Sequence, residues 1–218
     1  MSGPLRRRTF VAGLGAAGAG LVGTGLVGTG LAGLALGGCS GPATSTSAYT
    51  GDFRTIALAA ALENQAIEGY RALIAALRAG RLGGPASGSA LAPALVSLAE
   101  ACLRQHIEHA GTWNAILRSG HRPAISGVPL AGHASVRRAI GSAATTTQAI
   151  EAAIGLESRA ELTYVAAVGH LGSPAGLAAA ASIAPVEAMH MAGLRFLAGE
   201  YPTPSAFAGT TGAVSSSE

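Results

Sequence analysis

Two stretches of this chain repeat one another, and the repeat limits the fold more than any other feature. Residues 62–70 read LENQAIEGY and residues 156–164 read LESRAELTY, each a Leu-Glu, six residues, then a Tyr. A second motif follows each of them: HIEHAG at 106–111 and EAMHMAG at 187–193, each a residue of metal-ligating type, two residues, then a His. The order is Glu, x-x-His pair, Glu, x-x-His pair, so the chain reads as two copies of one helical hairpin. Each motif lies in an Ala/Leu-rich stretch with apolar residues at spacings of three and four, the period of a helix that buries one face.

These helical stretches cover about 52–79, 91–119, 145–171 and 174–199, with a short helical piece at 134–142. Gly80, Gly120 and Gly172 mark stops, Pro93 fits a first turn, and Ser173-Pro174 reads as an N-cap and N1 pair. Pro185 falls inside the last helix, where it removes a backbone hydrogen bond; it is a neutral kink or a device that aims Glu187. No alternating strand pattern is present. The expectation is an all-α protein, an antiparallel four-helix bundle built from two similar hairpins.

A Glu and a His three apart share one helix face, and neither enters an apolar interior without a partner. A dinuclear metal site inside a bundle uses such residues: carboxylates bridge and neutralise two cations, and imidazoles cap each one. The candidate ligands are Glu63, His106, His109, Glu157, Glu187 and His190. Tyr70 and Tyr164 each lie seven residues, two turns, beyond a candidate Glu and are expected to hydrogen-bond the ligands from above. Glu161, one turn after Glu157, is a candidate to join or replace it. Glu68, Glu100, Glu108 and Glu151 read as solvated, His121 and His133 as loop residues, His170 as facing away, and Trp113 as core. The alternative is a buried Glu–His network that holds the bundle in register without metal.

On these residues the chain resembles the exported bacterial ferritin-like domain proteins, four-helix relatives of the rubrerythrin and ferritin group, over about 55–206. The resemblance implies a ferritin-like metal-binding protein with iron or manganese (zinc as the alternative) and redox chemistry on oxygen or peroxide. The second reading is a non-enzymatic metal-binding or structural envelope lipoprotein with a degenerate site. Position 106 departs from the pattern, being His where a Glu is expected. Three carboxylates and three imidazoles leave one negative charge fewer, which opens a mononuclear site or a different metal. Nitrogen-rich ligation suits Zn, Fe or Cu better than Mg or Ca.

The N-terminus reads as an export signal over 1–38. Arg6, Arg7 and Arg8 precede an uncharged Gly/Ala/Leu/Val run, Arg7-Arg8-Thr9-Phe10 resembles a twin-arginine core, and Leu36-Gly37-Gly38-Cys39 resembles a bacterial lipobox with Cys39 as the lipidated residue. An uncleaved membrane anchor is the alternative. Either places the protein on the extracytoplasmic face of the cell envelope, with the membrane as its partner. Residues 39–51 read as a flexible tether, 52–206 as the ferritin-like domain and 207–218 as a disordered tail. All fourteen basic residues are Arg, and without the three of the signal eleven face eleven acids. The mature chain is therefore near neutral and lacks the basic cluster that nucleic acid requires. Cys102 is left without an intramolecular partner, which excludes a disulfide scaffold and reads as core packing. A homodimer is left open.

Overall fold

An Ala-rich first helix organises the bundle. In the computed structural model, which describes residues 49–84 and 91–215, α1 (Asp52–Arg78) is buried without a break from Ile56 to Glu63. A helix apolar on all sides has to be covered on all sides. Helices α2 (Leu91–Ser119), α3 (His133–Gly141) and α4 (Thr146–Val168) all pack on it. Helix α5 (Pro174–Ala198) closes the bundle against α4 and α2. The four long helices match the expected ones, and the short helical piece appears as α3. The described residues contain no strand beyond an isolated bridge between Gly83 and Thr145.

Neighbouring helices run antiparallel. Arg78 at the end of α1 pairs with Glu100 early in α2 at 2.5 Å, while Phe53 at its start lies against Gly120 beyond the end of α2. A Cβ at Gly120 would sit 2.2 Å from the Phe53 ring, so any other residue would have to push that ring aside. In the second hairpin, Ile150 of α4 and Leu194 of α5 share one apolar cluster, again start against end.

The connection from α2 to α4 has to travel the length of the bundle. Its first half is pinned to the middle of α1, with the Asn64 amide donating to the carbonyls of Ile125 (3.2 Å) and Gly127 (3.0 Å). Asn114 brackets Ile125 from the other side, accepting its N–H at 2.7 Å and donating to its carbonyl at 3.1 Å. These bonds supply the partners that a chain outside helices or sheets lacks. Its end is pinned beside the C-terminus of α1, where Gly83 N–H donates to Ala144 and Thr146 N–H to Gly83, both at 2.9 Å. Thr145 and Gln148 then open α4 with a reciprocal capping box.

The two ends of the domain are tied down. Tyr49, placed in the tether by the sequence, is buried and donates its hydroxyl to the Pro123 carbonyl at 2.7 Å. The tail expectation also changes over the described residues 207–215: Val214 is buried and its N–H donates to Thr163 Oγ1 at 2.9 Å. The export signal, Cys39 and residues 85–90 of the α1–α2 loop lie outside the described residues. Helix α5 runs unbroken through Pro185, whose ring is exposed on the outside of the bundle.

Asp52 serves two helices at once. It lies in the first turn of α1, and its Oδ2 accepts the N–H groups of Gly172 (3.0 Å) and Ser173 (2.6 Å) at the start of α5. Both placements set a negative charge against a helix N-terminus. Asp52→Ala is expected to lower stability by about 1–2 kcal/mol, read as a lower urea midpoint with an unchanged m-value.

Candidate metal centre

All six candidate ligands converge at the middle of the bundle. Glu63, His106, Glu157 and Glu187 have no exposed surface, His190 is buried, and the His109 side chain is 12% exposed. Their donor atoms fall into two groups. Glu63, His106, His109 and Glu187 form one half-site, and His106, Glu157, Glu187 and His190 form the other, with all donors of a half-site within 4.8 Å of one another. His106 and Glu187 belong to both. The i, i+3 spacing on α2 and α5 therefore places one residue of each pair between the half-sites and the other at its own end.

In the first half-site, Glu63 Oε2 lies 2.7 Å from His106 Nδ1 and 3.7 Å from His109 Nδ1. In the second, Glu157 Oε1 lies 3.2 Å from His106 Nε2, and Glu157 Oε2 lies 3.2 Å from His190 Nδ1. Glu187 spans the two, with Oε1 at 2.9 Å from His109 Nδ1 and Oε2 at 3.3 Å from His190 Nδ1.

The tyrosines cross over between hairpins. Tyr70 of α1 donates to Glu157 of α4, and Tyr164 of α4 donates to Glu63 of α1 at 2.6 Å. Each Tyr thus orients the carboxylate of the other hairpin rather than its own, because α1 and α4 run antiparallel side by side. The outward nitrogen of His190, Nε2, lies 2.6 Å from Gln105 Oε1. That amide oxygen can only accept, so Nε2 keeps its proton and Nδ1, which faces the site, is the nitrogen free to give its own up. Sequence reasoning missed Gln105, since nothing marks a polar residue on the exposed side of α2. It also took Cys102 for core alone; the thiol is buried and free, and it is one of the groups that raise the pKa of His190 and of Tyr70.

The remaining candidates fall away from the centre. Glu161, held open as a ligand, belongs to neither half-site; it lines an outer groove between α4 and α5 with Val165, Pro185 and Ala188. Glu68 pairs at 3.2 Å with His133, which is the first residue of α3 rather than a loop residue. Glu108, Glu151, His121 and His170 are exposed, and Glu100 pairs with Arg78. Trp113 is core, its ring 5.5 Å from that of Tyr164.

Burial and charge pull against each other throughout the cluster. Burial pushes the His109 ring toward neutrality, yet Glu187 and Glu63 outweigh it and raise its pKa to about 9. Burial also opposes charge on His190, and contacts with Cys102, Glu157 and Glu187 raise it to about 12. His106 is lifted well above the ordinary imidazole value, because Glu157 and Glu63 outweigh its burial. Against their own burial, Glu157 is held low by His106 and His190, and Glu63 by His106 and His109. Glu187 goes the other way: burial raises it more than His109 and His190 lower it.

Glu187 is the group the protein alone does not satisfy. Neither of its oxygens accepts a hydrogen bond among the described residues, and His109 Nδ1 has no aligned partner, although all three atoms are buried. Their mutual distances are within ion-pair range but their angles are not those of hydrogen bonds. A buried carboxylate left this way is unfavourable. Cations between the donors would relieve it. Two donors each ~2.1 Å from one ion stand roughly 3.0–3.4 Å apart; the separations above run from 2.7 to 3.7 Å in the first half-site and from 3.2 to 3.3 Å in the second. The residues present fit divalent metal.

An all-helical bundle with carboxylates and imidazoles paired at its centre is the build of a metal-binding bundle protein. The ferritin-like domain family model matches residues 51–200, and the chain belongs to that family. No curated protein and no solved structure gives a significant match.

The metal-free cluster has a definite pH signature. Raised imidazoles stabilise the fold below their free value and stop doing so as pH rises through the folded one, from 6.5 to about 9 for His109. The depressed Glu63 and Glu157 stabilise it above the free carboxylate value of 4.5 and stop doing so as pH falls. The thermal midpoint of the metal-free protein is expected to peak between about pH 4.5 and 6.5 and to fall by several degrees from pH 6.5 to 9. A profile flat across that upper range would contradict the ion-pair description.

Proposed function

We propose that this protein is a ferritin-like metal protein of the cell envelope, holding two ions of iron or manganese for redox chemistry on dioxygen or peroxide. The observation that carries the reading is the pair of four-donor half-sites that share His106 and Glu187. Glu187 has one oxygen toward each half and no hydrogen bond to either. Glu63 and His109 would hold one ion, Glu157 and His190 the other. Bound at such a site, the metal supplies open coordination positions and electrons for oxygen chemistry.

The chain's own residues do the rest. Tyr70 and Tyr164 hold Glu157 and Glu63 in place by donating to them, and Gln105 fixes the His190 tautomer. Burial of the ligands favours a reactant as small as dioxygen or peroxide over a bulky organic substrate. The twin-arginine-like signal supports export after folding, which would let metal load in the cytoplasm, and the lipobox supports a membrane tether at Cys39. A tether on each subunit argues against a closed storage cage.

A second reading has its own observation. Three carboxylates and three protonated imidazoles neutralise one another without metal, so the cluster is self-sufficient in net charge. On that reading the protein is a structural or weakly metal-binding envelope protein.

Metal content separates the two. The protein loaded with iron or manganese and desalted is expected to keep two ions per chain, and Glu187→Ala/His190→Ala is expected to lose them while staying helical. Loaded protein should then consume peroxide or oxygen. Wild-type protein that retains no metal would overturn the proposal in favour of the second reading. Gln105→Leu, which frees the His190 ring, is expected to weaken metal binding by about 10–100-fold, checked by competition with a chelator.

A further inference from the structure

His106 is held unlike a ligand of one ion. A metal-binding imidazole turns one nitrogen to the metal and gives the other N–H to a carboxylate, carbonyl or water outside the site. His190 follows this rule, with Nδ1 inward and Nε2 on Gln105. The His106 ring has no such outward partner. Its Nδ1 lies 2.7 Å from Glu63 and its Nε2 lies 3.2 Å from Glu157, carboxylates of opposite half-sites on different helices. Its neighbours are the other site residues: the Tyr70, His109 and His190 rings surround it at 5.3, 5.9 and 5.1 Å. The ring thus stands between the half-sites with one nitrogen facing each.

We propose that His106 is a bridging ligand, its Nδ1 serving the Glu63–His109 half-site and its Nε2 the Glu157–His190 half-site, so that the two ions are joined through an imidazole ring. This rests on the two-ion reading above. To bind on both sides the ring gives up both of its N–H protons, which leave to solvent as metal enters. The resulting imidazolate carries one negative charge. With Glu63, Glu157 and Glu187 it makes four, the number that neutralises two divalent ions. The charge lost when His stands in place of Glu is thereby recovered on loading.

The bridge also sets the spacing of the ions. Ions bridged by a carboxylate alone stand about 3.5–4 Å apart; with the ring between them, Glu187 would reach one ion with each oxygen in an extended mode. A ring about 2.2 Å across between its nitrogens, with metal–nitrogen bonds of ~2.0–2.1 Å, holds them roughly 6 Å apart.

X-ray absorption on the protein loaded with two equivalents of cobalt(II) reads that spacing directly. The wild type is expected to show imidazole scattering and no metal–metal vector near 3.5–4 Å, and His106→Glu is expected to gain that vector. Stoichiometry gives an independent arm. His109→Ala should keep one ion per chain, whereas His106→Ala should weaken both by at least about 100-fold. A short metal–metal vector in the wild type, or two ions held unchanged by His106→Ala, would overturn the bridge and leave the two-ion reading standing. A wild type that binds no cobalt, iron or manganese would overturn both. The wild-type spectrum decides the matter even where a variant fails to fold.

Discussion

Six ionisable side chains meet in an interior that is otherwise largely Ala, Leu and Ile. A buried charge is tolerable only when compensated, and apart from Glu187, whose oxygens accept no hydrogen bond, these groups find their compensation on other helices. Glu63 on α1 needs His106 and His109 on α2; Glu157 on α4 needs His106 on α2 and His190 on α5. No pair of helices satisfies the cluster alone. The register of all four long helices is therefore tied to one set of distances, and sliding one helix by a turn would leave charges stranded.

Small residues make that arrangement reachable. Ala57, Ala59, Ala60 and Ala61 of α1, with Ala160 and Ala167 of α4 and Ala179, Ala180 and Ala184 of α5, build one end of the core. Their short side chains let the helices come close enough for glutamate and histidine to reach across. Larger residues sit above and below the polar layer: Trp113, Tyr164 and Leu117 on one side, Leu73, Leu95 and Leu194 on the other. The polar layer is sealed between two apolar plugs. Much of its stability comes from the plugs, and much of its specificity from the layer.

The helices and the convergence of the six ligand-type residues were legible because both depend on periodicity, which sequence carries directly. The crossed tyrosines were not. Spacing along one helix puts Tyr70 near Glu63, but which carboxylate it reaches depends on how α1 lies against α4. Gln105 was hidden for a related reason: its partner is on α5, and an exposed Gln looks like any surface residue. The anchoring of Tyr49 and Val214 also escaped, since polar and small neighbours make both ends read as loose chain. Asn64 and Asn114 carry no periodic signal, yet they fix the long connection.

The two hairpins are alike in motif and unlike at one place: His106 in the first stands where Glu187 stands in the second. Had such a hairpin paired with an identical copy of itself, both positions would carry the same residue, giving two carboxylates or two imidazoles at the centre. Joining the hairpins in a single chain removes that constraint, because each half can mutate alone. The connection through α3 is thus more than a strap around the bundle. It lets the centre be lopsided, with a ring on one side and a carboxylate on the other, an inner environment that no two-fold symmetric assembly of hairpins can present.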